Sequence, residues 1–225
     1  MSKGVFGFGC SYTWGEGLYF YSNLDGLPFK AIHEFDGKEL RPPHLLYKDK
    51  HTFINLVAEN YNTWSFAGGG NGGDNIFSFK QKINSTFFDT NFHNSDIGLV
   101  IFQFTQIFRN ENYDMDEQID YIDYHLNKWE SMGIKCVTIS WPYEIPDSDN
   151  YKNKFKHRHV PIEFNDRIYN NFEEIIGMGD SSNITIASDF AKKGFQKNDD
   201  HLNLKGHRLI ADSIIKKLEQ DNFKI

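Results

Sequence analysis

Phe8-Gly9-Cys10-Ser11-Tyr12-Thr13-Trp14-Gly15-Glu16-Gly17 follows a short apolar run, Gly4 to Phe8, that reads as a first β-strand. The strand must end where the glycines begin, so Ser11 falls in the turn between a strand and a helix, at the carboxyl edge of a sheet. Open α/β sheets bind ligands at that edge. Backbone N–H groups near such a turn can point at an anion. A serine nucleophile that passes through an oxyanion needs both properties. A strand followed by Gly-x-Ser also occurs as a plain turn, so the rest of the chain has to supply the context.

A chain of 225 residues is most economically one domain, 1–225, long enough to bury a sizeable core. The formal charge of −7 disfavours wholesale nucleic-acid binding. Aromatic residues reach 16%, which predicts an aromatic-heavy core and aromatic loops. The two cysteines, Cys10 and Cys136, do not imply a disulfide framework and fit a reducing compartment. Met1-Ser2-Lys3-Gly4 has no apolar signal core, and no run approaches transmembrane length. The reading is a cytoplasmic protein without a membrane partner, with assembly into a particle left open.

Along the chain, residues 18–50 hold no period and read as an irregular insertion, either a packed surface excursion or a rim over the site. Thr52 reads as an N-cap for a helix carrying Phe53, Ile54, Leu56, Val57 and Tyr61. Thr63 to Phe66 reads as a second strand. Ala67 to Asn75 then supplies five glycines that let a backbone approach a ligand closely. Asp74 or Asn75 can cap a following helix over Ile76 to Ile83. The lysine and hydroxyl residue of a P-loop are missing, so an oxyanion donor is the better use of these glycines than a phosphate cradle.

Asp96 to Phe104 is nearly continuously apolar, as a central parallel strand should be. It ends in Gln103-Phe104-Thr105-Gln106, followed by Arg109, and these polar groups are either site residues or loop caps. Met115 to Met132 is an amphipathic helix stopped by Gly133, and Ile134 to Ser140 is the next strand. Residues 141–161 read as a second irregular insertion. They hold the basic cluster Lys152, Lys154, Lys156, His157, Arg158 and His159, a solvated face or a patch that steers an anionic substrate. His157 and His159 lack a matching set of metal ligands nearby. Glu163 to Ile176 reads as helix and Ile184 to Ala187 as a last short strand. Asn203 then caps a terminal helix, with Asp199-Asp200-His201 in the loop just ahead of it.

This alternation predicts an α/β fold, a three-layer α/β/α sandwich around a central parallel sheet. With Ser11 after the first strand and Asp-x-His before the last helix, the chain resembles the SGNH (GDSL-like) hydrolases through four short blocks. The resemblance implies a flavodoxin-like arrangement and a Ser-His-Asp triad of Ser11, His201 and Asp199. Gly9-Cys10-Ser11-Tyr12-Thr13 is the first block, with Cys10 where the family usually has Asp. Gly68-Gly69-Gly70-Asn71 stands where the family has an oxyanion glycine. In the third block Thr105 stands where an oxyanion Asn is usual, so Thr105, Gln103 or Asn71 must supply that donor. In the fourth, Asp-x-His is one residue shorter than the usual spacing. Leu202-Asn203-Leu204-Lys205-Gly206-His207 resembles the family's tail after the histidine.

The resemblance implies a serine esterase that needs neither cofactor nor metal. Fold analogy favours small acyl esters as substrates, O-acetyl groups on a carbohydrate among them. Two other readings compete. Cys10 could be the nucleophile, although a residue one place earlier in the turn should point differently. Or the scaffold keeps its cleft without catalysis, as a glycan-binding or assembly module. Asp200 competes with Asp199 as the triad acid.

Overall fold

The structure is a computed structural model that describes residues 3–15, 17–18, 21, 42–69, 94–105, 114–179, 182–192, 194 and 200–225. In chain order its elements are β1 (Gly4–Gly9), α1 (Ser11–Trp14), α2 (Pro42–His51), α3 (Phe53–Asn60), β2 (Ser65–Gly69), β3 (Ile97–Phe104), α4 (Met115–Ser131) and β4 (Lys135–Ser140). There follow α5 (Glu144–Asp147), α6 (Asp149–Phe155), β5 (Ile162–Phe164), β6 (Arg167–Tyr169), α7 (Glu173–Ile176), α8 (Ile186–Lys192) and α9 (Leu204–Gln220). The helix expected over Ile76 to Ile83 lies outside the described residues.

β1 to β4 form one parallel sheet in the order β2-β1-β3-β4. Successive side chains of a strand point to opposite faces, and both faces are covered. Val5, Leu99, Ile101 and Val137 join a core with Phe53, Ile54 and Val57 of α3 and with Ile210, Ile214 and Leu218 of α9. Phe6, Phe8, Val100 and Phe102 join the opposite core with Ile119, Ile122, Leu126 and Trp129 of α4. Burial on both faces explains why β1 and β3 show no polar alternation. Gly7 lies on the α3 face, where a Cβ would overlap the Ile54 side chain, so its lack of a side chain sets how closely α3 packs.

The caps behave as local chemistry dictates. Thr52 accepts from Asn55 N–H at 3.2 Å and starts α3, and Asn203 Oδ1 accepts from Gly206 N–H at 2.9 Å and starts α9. β2 is displaced from the expected Thr63–Phe66 because Val5 to Gly9 pair with Ser65 to Gly69, which draws two glycines into the strand.

Four expectations are corrected. Pro42–His51 is helical, and all of it but His51 falls in the stretch 18–50 expected to be irregular. Its two prolines stand in the first turn, where a missing N–H loses no helical bond. Residues 141–161 contain α5 and α6, and α6 is started by Ser148, whose hydroxyl accepts from Tyr151 N–H at 3.1 Å. Glu163–Ile176 is not a helix but the hairpin β5–β6 followed by the single turn α7. Asn165 and Asp166 both take positive φ, 51° and 61°, as a two-residue hairpin turn requires. No strand forms at Ile184–Ala187: Thr185 makes one antiparallel bridge to Leu202, and its hydroxyl accepts from Ser188 N–H, which turns the chain into α8.

The basic cluster is dispersed. Arg158 is buried, with Nη1 2.7 Å from Asp123 Oδ1 and with Nε and Nη2 forked onto Glu130 at 3.0 and 2.7 Å. It ties the outer edge of the sheet to α4: the Arg158 carbonyl accepts from Thr138 N–H at 2.9 Å. Lys154 pairs with Asp120. His159 Nδ1 lies 2.7 Å from the Tyr151 hydroxyl.

His207, on α9, is buried, and its Nδ1 accepts from Phe53 N–H at 3.1 Å at the start of α3. Desolvation, reinforced by the nearby His201, His51 and Lys48, pushes its pKa down to about 3. The folded chain therefore holds this ring neutral, whereas the unfolded chain protonates it near its ordinary 6.5. The stability it contributes is whole above pH 6.5 and is lost as the pH falls toward 3, by about 1.4 kcal/mol per pH unit within that window. Urea unfolding between pH 7 and pH 4 is expected to show this acid loss, and His207→Asn, which keeps an acceptor for Phe53 N–H, should flatten it. An identical slope in both proteins would contradict the assignment.

Candidate active site

The sheet order reverses direction at β1: the chain moves to β2 on one side, then returns past β1 to β3 on the other. Such a switch point leaves a crevice at the carboxyl ends of the strands. Gly9 pairs with Gly69, and Phe8 with Phe102, so Ser11, Gly69 and Thr105 come to the same edge.

Ser11 is the first residue of α1. Cys10 before it is still extended, and Gly15 ends the turn in the left-handed region at φ 80°. Ser11 is 5% exposed, and its Oγ lies 2.8 Å from His201 Nε2, across a separation of 190 residues. With the ring proton on Nδ1, the serine hydroxyl donates to Nε2.

The His201 segment is held on both sides. Its carbonyl accepts from Ile186 N–H at 2.8 Å, and Asn203 N–H donates to the Ile184 carbonyl at 2.9 Å. The ring packs on Tyr12, with centroids 4.7 Å apart, and the Tyr12 hydroxyl donates to the Asp200 carbonyl at 3.4 Å. Asp189 fastens this region further. Its Oδ2 accepts from Tyr21 at 2.7 Å and from Asn203 Nδ2 at 2.9 Å, joining the chain just after α1 to the start of α9.

Gln103 lies under the turn and is buried. Its Oε1 accepts from Thr13 Oγ1, and its Nε2 donates to Cys10 Sγ at 3.3 Å. Both ends of the amide are thus engaged inside the turn, so Gln103 supports Ser11 from below. Cys10 is a buried free thiol in that network, and Cys136, also free, has its thiol pushed up by burial.

Among the other expected residues, Gly69 ends β2 and Thr105 lies half-buried just after β3. Asp199, Gly70 and Asn71 lie outside the described residues, as do Gln106 and Arg109. Asp200 is exposed. Among the described residues no group of three His, Cys, Asp or Glu side chains could hold a metal ion, and no helix is long and apolar enough to cross a membrane.

Sequence reasoning missed Asp189, Tyr21 and the packing of Tyr12. Tyr12 stood in the quoted stretch, next to the serine, and that adjacency was the available signal. Asp189 and Tyr21 had none, because their partners are remote in sequence. Compared with known proteins, the chain matches no family model, no curated protein and no solved structure.

Gly9 is required by this packing: a Cβ there would overlap Thr13 Oγ1 and stand 2.7 Å from Gln103 Oε1. Gly9→Ala is expected to displace α1 and to lower stability by about 1–3 kcal/mol in urea unfolding. A variant as stable as the wild type would show that the turn can give way without cost.

Proposed function

We propose that the chain is a serine esterase of SGNH type that hydrolyses small, acetyl-like acyl esters. The observation that carries this reading is the Ser11 Oγ–His201 Nε2 distance of 2.8 Å at the switch point of a parallel sheet. The strand order β2-β1-β3-β4 also matches the first four places of a flavodoxin-like sheet, where ligands sit at the β1/β3 crevice.

In this mechanism Ser11 Oγ attacks the ester carbonyl while His201 Nε2 takes the hydroxyl proton. The carbonyl oxygen becomes an oxyanion. The N–H of Ser11, at the first position of a helix and without an intrahelical acceptor, is one donor. A glycine N–H at Gly69 or Gly70 is a second, and Thr105 or Asn71 a third. Gln103 is withdrawn from that role by its bonds to Thr13 and Cys10. His201 then returns the proton to the leaving alcohol, and water releases the acyl group by the same steps in reverse order. The resemblance gives Asp199, which lies outside the described residues, the part of orienting the imidazole and stabilising its charged form. Replacing the family's usual Asn by Thr105 weakens one donor, and losing one donor raises the barrier by about 3 kcal/mol. The expected enzyme is slower than one with all its donors by about a hundredfold.

Turnover of p-nitrophenyl acetate and butyrate by the wild type, Ser11→Ala and His201→Ala tests the reading. Each substitution is expected to lower kcat by about a thousandfold or more. Equal background rates in all three proteins would overturn it and leave a binding module. Loss of turnover on thiol alkylation with Ser11→Ala still active would move the nucleophile to Cys10.

A further inference from the structure

Tyr12 follows the serine directly, and the two are the first residues of α1. One turn of backbone therefore carries both Ser11 Oγ, 2.8 Å from His201 Nε2, and an aromatic ring that rests on the same imidazole. The Tyr12 and His201 ring centroids are 4.7 Å apart, with their planes 34° from parallel. Rings so nearly parallel would collide if they met edge to edge at that separation, so their faces overlap. Tyr12 is buried, and two further rings fix it. Trp141 packs on it at 3.9 Å between centroids and Phe172 at 5.6 Å. The Trp141 N–H donates to the carbonyl of Phe104, the last residue of β3, at 3.0 Å, and the Phe172 N–H to the carbonyl of Ser140, the last residue of β4, at 3.2 Å. Tyr12 thus ties the histidine to the carboxyl edge of the sheet.

This contact treats the two forms of the imidazole differently. The quadrupole of an aromatic face attracts a cation within about 6 Å of its centre, and the attraction grows where water is excluded. A neutral imidazole gains only ordinary packing. In the mechanism above His201 becomes an imidazolium as it takes the Ser11 proton, so the Tyr12 ring stabilises the charged state more than the state from which the reaction starts. Only interactions that differ in this way raise kcat. The hydroxyl contributes less than the ring: it donates to the Asp200 carbonyl at 3.4 Å, long for a bond between two oxygens.

We propose that Tyr12 is a positioning residue for His201, whose ring face holds the imidazole against Ser11 and stabilises the imidazolium formed when the serine gives up its proton. This rests on the esterase reading for the proton transfer, and it assigns that site a part that neither the triad nor the oxyanion donors supply.

Two measurements keep the role of Tyr12 and the esterase separable. The first asks whether the rings stack. The chain has nine histidines, so the His201 Cε1–H proton resonance is assigned by its loss in His201→Gln. Shielding by the Tyr12 face is expected to hold it upfield in the wild type and in Tyr12→Phe, and Tyr12→Leu to release it downfield. A resonance that does not move in Tyr12→Leu contradicts the stacking, whether or not any ester is turned over. The second uses turnover of p-nitrophenyl acetate by Tyr12→Phe and by proteins with one, two or three ring fluorines on the phenylalanine at position 12. Fluorine withdraws charge from the ring face and leaves its shape nearly unchanged, so folding is preserved. The expected result is a stepwise fall in kcat, about tenfold over the series, with KM constant and with Tyr12→Phe itself close to the wild type. A flat series in an active enzyme overturns the role of Tyr12 and spares the esterase. A rise in KM with kcat constant also overturns it, by placing the ring against the substrate. A wild type that turns over no ester removes the esterase reading, and the part of Tyr12 in proton transfer falls with it.

Discussion

Gly4–Gly9 is hydrogen-bonded in parallel to a strand on each side, and the crossing of the chain over that strand creates the switch point at which Ser11 lies. The constraint is steric as much as it is hydrogen bonding. Val5, Phe6 and Phe8 are fully buried and anchor the strand between two cores. Gly7 and Gly9 leave room on one face for Ile54 and for the Thr13–Gln103 pair. Large residues hold the strand in place, and the small ones between them let a helix and a turn close on it. The position of the serine hydroxyl follows from that arrangement.

The histidine is brought to the serine by a different part of the chain. Its loop is pinned to Ile184 and to Ile186 at the start of α8, and its helix is started by Asn203, whose side chain also reaches Asp189. Asp189 in turn accepts from Tyr21, just beyond α1. The two halves of the site are thus connected by a second hydrogen-bonded path besides the Ser11–His201 contact itself. Arg158 is the corresponding fixture on the far side of the sheet, where a cation that reads as surface charge in the sequence is buried among Asp123, Asn127 and Glu130.

Where local chemistry was sufficient, the sequence was legible. The apolar runs at Gly4–Phe8 and Asp96–Phe104, the Thr52 and Asn203 caps and the amphipathic stretch beginning at Met115 depend on neighbours in the chain, and the structure has an element at each. Where two local signals competed, the reading failed. Glu163–Ile176 has helix-forming residues, but Asn165 and Asp166 favour a tight turn, and burial of Ile162 and Phe164 on one face selects the hairpin. Ile184–Ala187 has β-branched residues, but among the described residues it makes only one bridge, and the Thr185 cap selects a helix. Contacts such as Gln103–Thr13 and Asp189–Tyr21 join residues 90 and 168 apart in the chain and carry no periodic trace. The Ser11–His201 pairing was legible only because both ends lie in short motifs, not because any pattern in between predicts their meeting.

The central claim is that the Ser11 hydroxyl is activated by His201. Treatment of the folded protein with a fluorophosphonate, followed by peptide mass mapping, reads this directly. The account predicts one covalent adduct, on Ser11, formed in the wild type and strongly slowed in His201→Gln. A folded wild-type protein that takes up no label at Ser11, or labels equally fast without the imidazole, would contradict it.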